Sequence, residues 1–162
     1  MSRAQIRQIG FQSVTESARV EAQLAAPADA VWRFFRWDNL EAMLPGGFFT
    51  AVDYDKRAPV PGATRTITLA GGQKVVERLE SLSPTGHGFR YRVLNLADFP
   101  LADYLGSVSV SPEEDGSCRI VFSCEFVPSR ISAAEWREIY TAMQTAFIDF
   151  IRSQVETGDA HG

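Results

Sequence analysis

Histidine, cysteine and clustered positive charge are all scarce in this chain of 162 residues. Its two histidines are His87, in the turn-like run Thr85-Gly86-His87-Gly88, and His161, beside the C-terminus. Mechanisms that rest on a buried histidine base therefore have little to draw on. The two cysteines, Cys118 and Cys124, fall within one stretch of strand pattern. On a common strand they share a face but stand about 20 Å apart, too far to bridge. No Cys-x-x-Cys pair or histidine cluster marks a metal site, so neither metal nor cofactor is expected. No Lys/Arg-rich run is present and the net charge is −4, which argues against nucleic acid or an anionic membrane as partner. The apolar runs fall far short of the roughly 20 residues a membrane helix needs. The opening residues MSRAQIRQIG are polar and lack the apolar segment of a secretory signal, so a cytoplasmic location is expected.

What is present suits a globular fold. Hydrophobic residues make up 45% and charged residues 22%, enough for a real core in one domain over 1–162. The ordered part is expected at about 14–155, with loose ends at 1–12 and 156–162. Residues 14–25 alternate Ala18, Val20, Ala22 and Leu24 with Arg19, Glu21 and Gln23, a strand pattern. Pro27 followed by Ala28 and Asp29 reads as a helix start, and that helix is expected to run to Arg36. Asp38 is read as the cap of a second short helix through Met43, ended by Pro45-Gly46-Gly47. Six strands are expected next, at 48–54, 62–70, 73–83, 86–96, 103–112 and 116–127, separated by Gly- and Pro-rich turns. Their spacing predicts an antiparallel meander. Then the period changes. Ser132-Ala133-Ala134-Glu135 forms a capping box. Trp136, Ile139, Tyr140, Met143, Phe147, Phe150 and Ile151 follow at spacings of three and four, one apolar stripe to about residue 155.

The hairpin "TRTITLAGGQKVVERL" (64–79) breaks the apolar rule. Arg65 shares a face with Ile67 and Leu69, and Glu77 shares one with Val75 and Leu79. With a loop at 70–72, Arg65 stands opposite Glu77. Two readings stay open: a structural pair in which each charge offsets the other's burial, or a polar site for a ligand carboxylate, carbonyl or hydroxyl. They overlap, because a pair that fixes Arg65 also aims its remaining donors.

The order strand, two short helices, six strands, long helix resembles the Bet v 1-like superfamily. This helix-grip group includes START domains, polyketide cyclases and the plant abscisic-acid receptors. The resemblance covers about 14–155 and is carried by "APADAVWRFF", "GATRTITLAGGQKVVERLE", "ADYLGSVSVSP" and "CRIVFSCEFVP". It implies an α+β helix-grip fold, with a curved antiparallel sheet of about seven strands wrapped on the C-terminal helix. The receptors' gate and latch loops are replaced here by Ala70-Gly71-Gly72-Gln73 and Phe99-Pro100-Leu101-Ala102. Aromatase/cyclases of this group carry an arginine matching Arg65 and a Glu-Arg pair matching Glu77-Arg78. There the arginine is implicated in polarising a substrate carbonyl. Their polar aromatic residue is replaced here at Phe48-Phe49.

A long helix across a curved sheet leaves a pocket between them. Parity across the strands and the helix stripe give Arg65, Ile67, Glu77, Tyr91, Tyr104, Phe122, Tyr140, Met143 and Phe147 as its expected lining. Such a lining suits a small hydrophobic, oxygen-bearing molecule: a lipid, a polyketide or an aromatic compound. The alternative is a cyclase/aromatase- or dehydratase-like enzyme, with Arg65 polarising a carbonyl and Glu77 or a tyrosine moving a proton. A partner-binding module ranks last, because Arg78, Glu80, Arg92, Thr66 and Thr68 make the outer sheet face polar. The segment from Asn95 to Asp103 is longer than a hairpin needs and reads as a lid or a plain loop. A monomer and a homodimer both fit the sequence.

Overall fold

Period-two alternation decides the sheet, and the strands form where that alternation predicts them. The structure, a computed structural model, describes residues 14–159. Strand β1 (Glu16–Leu24) leads to helix α1 (Ala28–Trp32) and a 3-10 segment (Trp37–Gly46). Strands β2 (Phe49–Tyr54), β3 (Thr64–Leu69), β4 (Lys74–Leu82) and β5 (Gly88–Val93) follow. A 3-10 turn (Leu96–Asp98) precedes β6 (Leu101–Pro112), β7 (Cys118–Pro128) and the long helix α2 (Ala133–Asp159). The seven strands form one sheet in the order β1-β7-β6-β5-β4-β3-β2, antiparallel throughout. This is the expected helix-grip arrangement.

The sheet is bent by irregularities between Phe49 and Ala51, Leu79 and Ser81, and Leu101 and Asp103. An extra residue on one strand increases local twist and turns the strand inward. Helix α2 packs chiefly against β1 and β7, at one end of this bent sheet. Over β3 to β6 the helix stands off the concave face, and a space remains between them. The short segments after β1 close one end of it with aromatic residues. Phe35 meets Phe122 edge-on at 4.9 Å, and Trp37 meets Phe89 at 5.6 Å. Edge-to-face pairs add roughly 0.5–1.5 kcal/mol each beyond the area they bury.

Several expectations are corrected. Helix α1 ends at Trp32 rather than Arg36, and the chain continues in single turns, with the Phe34 and Phe35 amides on the Val31 and Trp32 carbonyls. Asp38 does not cap a helix; its carboxylate accepts from the Arg36 guanidinium at 3.0 Å. The segment it opens is 3-10 and kinked at Asn39, and Gly47, at φ 80°, ends it as expected. The tail is helical to Asp159, past the expected end at 155. There Glu156 accepts the Ala25 amide at 2.9 Å and Arg152 at 3.0 Å. The expectation for residues 1–12 and the position of His161 lie outside the described residues. Ser132 does cap α2, its Oγ accepting the Glu135 amide at 3.1 Å.

The stripe on α2 is narrower than its sequence suggests. Tyr140, Gln144, Ile148 and Ile151 are buried, whereas Ile139 is 48% exposed. At 3.6 residues per turn, Ile139 lies about 135° round the helix from the middle of that buried face. Gln144 lies near its centre.

Candidate functional site

The space between α2 and the concave face is a cavity of about 180 Å³. Of the nine expected lining residues, Arg65, Ile67, Glu77, Tyr91, Tyr104, Phe122, Met143 and Phe147 border it. Tyr140 does not. It is 1% exposed, on the part of α2 that packs against β1 and β7, where its hydroxyl meets Cys124. Met143 borders the cavity and is itself 37% exposed.

The hairpin register places the polar pair. The Leu69 amide donates to the Gln73 carbonyl at 2.8 Å, and Arg65 stands directly opposite Glu77. Arg65 is 4% and Glu77 7% exposed. Nε and Nη2 of Arg65 both reach Oε1 of Glu77 at 2.9 Å. Nη1 donates to the Trp37 carbonyl at 2.9 Å. The guanidinium lies 4.2 Å from the centre of the Trp37 ring and 5.5 Å from that of Phe89. Arg65 thus ties two strands to the 3-10 segment and is itself held by all three nitrogens. Among the described residues, the hydrogen bonds of the Glu77 carboxylate both fall on Oε1 and none on Oε2.

Beside this pair stand two phenols. The hydroxyls of Tyr91 and Tyr104 are 3.3 Å apart. Burial raises the pKa of each; for Tyr91 the negative charge of Glu77 adds to it. Both remain protonated at neutral pH, so the pair offers a donor as well as acceptors. Gly106 makes room for Tyr91: the two residues face each other across β5 and β6, and a Cβ on Gly106 would overlap the phenol ring.

Gln144 brings a polar group from the helix. It is 4% exposed, borders the cavity, and its Oε1 has no hydrogen-bond partner. Trp136 also borders the cavity with its indole N–H unpartnered. Strand parity and the helix stripe do not point to the Gln144 carboxamide or to the walls supplied by Phe35, Leu40 and Phe49, whereas Leu96 and Phe99 belong to the segment read as a lid or a plain loop. The signal for Gln144 was its spacing: four residues after Tyr140 and four before Ile148, a polar residue inside an apolar stripe.

The segment after β5 forms part of the wall and is braced on three sides. The Asn95 side chain accepts from the Val76 amide and donates to the Lys74 carbonyl, at 3.0 and 2.8 Å. Gln73 donates to the Asp98 carbonyl at 3.0 Å. Arg130 donates to the carbonyls of Ala97 and Phe99 at 3.2 and 2.8 Å. Asp103 stands in β6 and takes Arg92 as an ion-pair partner. Cys118 and Cys124 are buried and unbridged on β7. Burial pushes the Cys124 thiol up to about 11, which makes it a poor nucleophile at neutral pH. His87 is paired with Asp29 at 2.9 Å and lies against Trp32, away from the cavity lining. Among the described residues, no cluster of His, Cys, Asp or Glu is placed to hold a metal, and no helix is long and apolar enough to cross a membrane.

Solved structures share this architecture. Norcoclaurine synthase from Thalictrum flavum, in complex with dopamine and hydroxybenzaldehyde, superposes with a TM-score of 0.67 at 21% identity, over 95% of this chain and 92% of that one. The protein XoxI from Bacillus cereus gives a TM-score of 0.74 at 18% identity, over 86% and 94% of the two chains. An uncharacterised protein from Bacillus thuringiensis gives 0.72 at 17% identity, over 86% and 98%. At these identities the likeness is one of fold. No curated protein matches the chain. The family described as polyketide cyclase/dehydrase and lipid transport matches residues 15–156, and with a seven-stranded sheet gripping its long helix the chain belongs to that family, within the Bet v 1-like superfamily.

Proposed function

We propose that this protein binds a small, mostly apolar molecule with an oxygen function in the cavity between β3–β6 and α2. The observation that carries this reading is the contrast within one wall. The lining is aromatic and aliphatic, yet the Gln144 carboxamide leaves a buried oxygen without a protein partner there, and the hydrogen bonds of Glu77 fall on one of its two oxygens. A buried polar atom left unpaired costs roughly 1–3 kcal/mol, which a bound molecule can offset.

The volume supports a compact occupant. A dry cavity of about 150 Å³ takes up benzene, and this one is about 180 Å³. One or two rings match it better than an extended acyl chain. The dopamine and hydroxybenzaldehyde held by norcoclaurine synthase are single-ring compounds of that size class. Carbonyl polarisation by Arg65 has less support, because three of its five N–H groups already have an acceptor in the protein, leaving one each on Nη1 and Nη2.

The test is native mass spectrometry and thermal unfolding with a panel of one- and two-ring aromatics. A ligand present at 100 times its Kd raises stability by about 2.7 kcal/mol. Ile67→Trp, which fills the cavity, is expected to abolish the shift while the variant stays folded. A shift that survives Ile67→Trp overturns the reading.

A further inference from the structure

We infer that the cavity's occupant presents a neutral hydroxyl, as a hydrogen-bond donor, to Oε2 of Glu77. This rests on the cavity being the binding site, and it names the chemistry recognised there. One carboxylate oxygen takes two donors from Arg65; the other takes none among the described residues. Oε2 is thus an acceptor without its complement, and a ligand satisfies it with a donor; the indole N–H of Trp136, also unpartnered in the lining, is a donor, and a hydroxyl can answer groups of both kinds. The charge count says which kind. Arg65 and Glu77 cancel, and among the described residues no other charged side chain borders the cavity. A ligand ion would leave water with no net countercharge to meet it, at a cost of several kcal/mol. A carboxylate would also face Oε2, a like charge, and the two N–H groups that Arg65 has left belong to a cation that Glu77 already offsets. An uncharged hydroxyl incurs neither cost. The Tyr91–Tyr104 hydroxyl pair beside Glu77 provides a further acceptor or donor for the same group.

The experiment compares 2-naphthol, 2-methoxynaphthalene and 2-naphthoate at pH 7 by calorimetric or fluorescence titration of the intact chain. All three have the same ring system; only the first is a neutral donor. Hydrogen bonds to charged groups are worth about 1.5–3 kcal/mol, so 2-naphthol is expected to bind about ten-fold tighter or more than either analogue. The double variant Arg65→Met/Glu77→Leu removes both charges at once. It is expected to keep 2-methoxynaphthalene and to lose the preference for 2-naphthol. Equal binding of the three probes, tighter 2-naphthoate, or a preference that survives the double variant overturns the donor inference and leaves the cavity reading standing. Binding of none of them overturns both. The wild-type ratio decides even where the variant does not fold.

Discussion

Glu77 shows what a single buried charge requires. Its carboxylate is tolerated at 7% exposure because Arg65 lies against it with two nitrogens and is anchored in turn on Trp37. Removing one member leaves the other charged and unpaired. Arg65→Met is therefore expected to cost about 3–5 kcal/mol in urea unfolding. Adding Glu77→Leu is expected to recover most of that loss, because an apolar pair of similar volume replaces the ions. An additive double variant would show that the two side chains do not act as a unit. Gln144 is the opposite case: its orphan oxygen has no partner to lose. Gln144→Leu is expected to stabilise the unliganded protein by about 1 kcal/mol or more in the same assay, while weakening any ligand that uses the amide. The pair was legible in the sequence, because period two and a three-residue loop fix which side chains face each other. Gln144 was passed over because the helical stripe was traced through apolar residues alone.

Adjacent strands cooperate in shaping the cavity wall. Gly106 on β6 leaves the surface bare opposite Tyr91 on β5, and the phenol ring occupies that space. A methyl group at this point has nowhere to go without moving the ring. Gly106→Ala is expected to cost about 1–3 kcal/mol and to change the near-ultraviolet circular dichroism of the tyrosines. A variant with wild-type spectrum and stability would mean that the strands give way instead. At the start of α2, Ser132→Ala removes the cap on the Glu135 amide and is expected to cost about 1 kcal/mol in thermal or urea unfolding. The strands and α2 were readable because long runs keep one period. The stretch from Ala28 to Gly46 was not, because five-residue helices and 3-10 turns have too few residues to show a period, and packing of Phe35 and Trp37 on the sheet decides their shape. Tyr140, expected at the cavity, lies outside its lining for a related reason. A helix pattern says which face is buried but not which strands it meets.

The molecule as a whole holds its phenols protonated. All four tyrosines, Tyr54, Tyr91, Tyr104 and Tyr140, have raised pKa values, with burial the largest cause in each. Tyr54 is pushed up to about 12 by burial and by Glu41, and burial takes Cys124 to about 11. The sign follows from proton counting. In the unfolded chain the thiol and phenols ionise near pH 9–10, while the folded chain keeps their protons. Unfolding therefore releases protons above about pH 9. The stability these groups provide is full below that pH and is lost as pH rises through 9 to 12. Tm is expected to be insensitive to these groups below pH 9 and to fall above it, with no tyrosinate absorbance at 295 nm before unfolding. A phenolate step near pH 10 in the folded protein would contradict this. The order of strands also bears on how the chain is made. Strand β1 pairs only with β7, Glu16 with Phe126 and Leu24 with Cys118. At 5–20 residues per second, a ribosome takes roughly 5–20 s to deliver about a hundred residues. The first strand spends that time with its hydrogen-bonding edge open, a window for chaperone capture or for pairing between nascent chains.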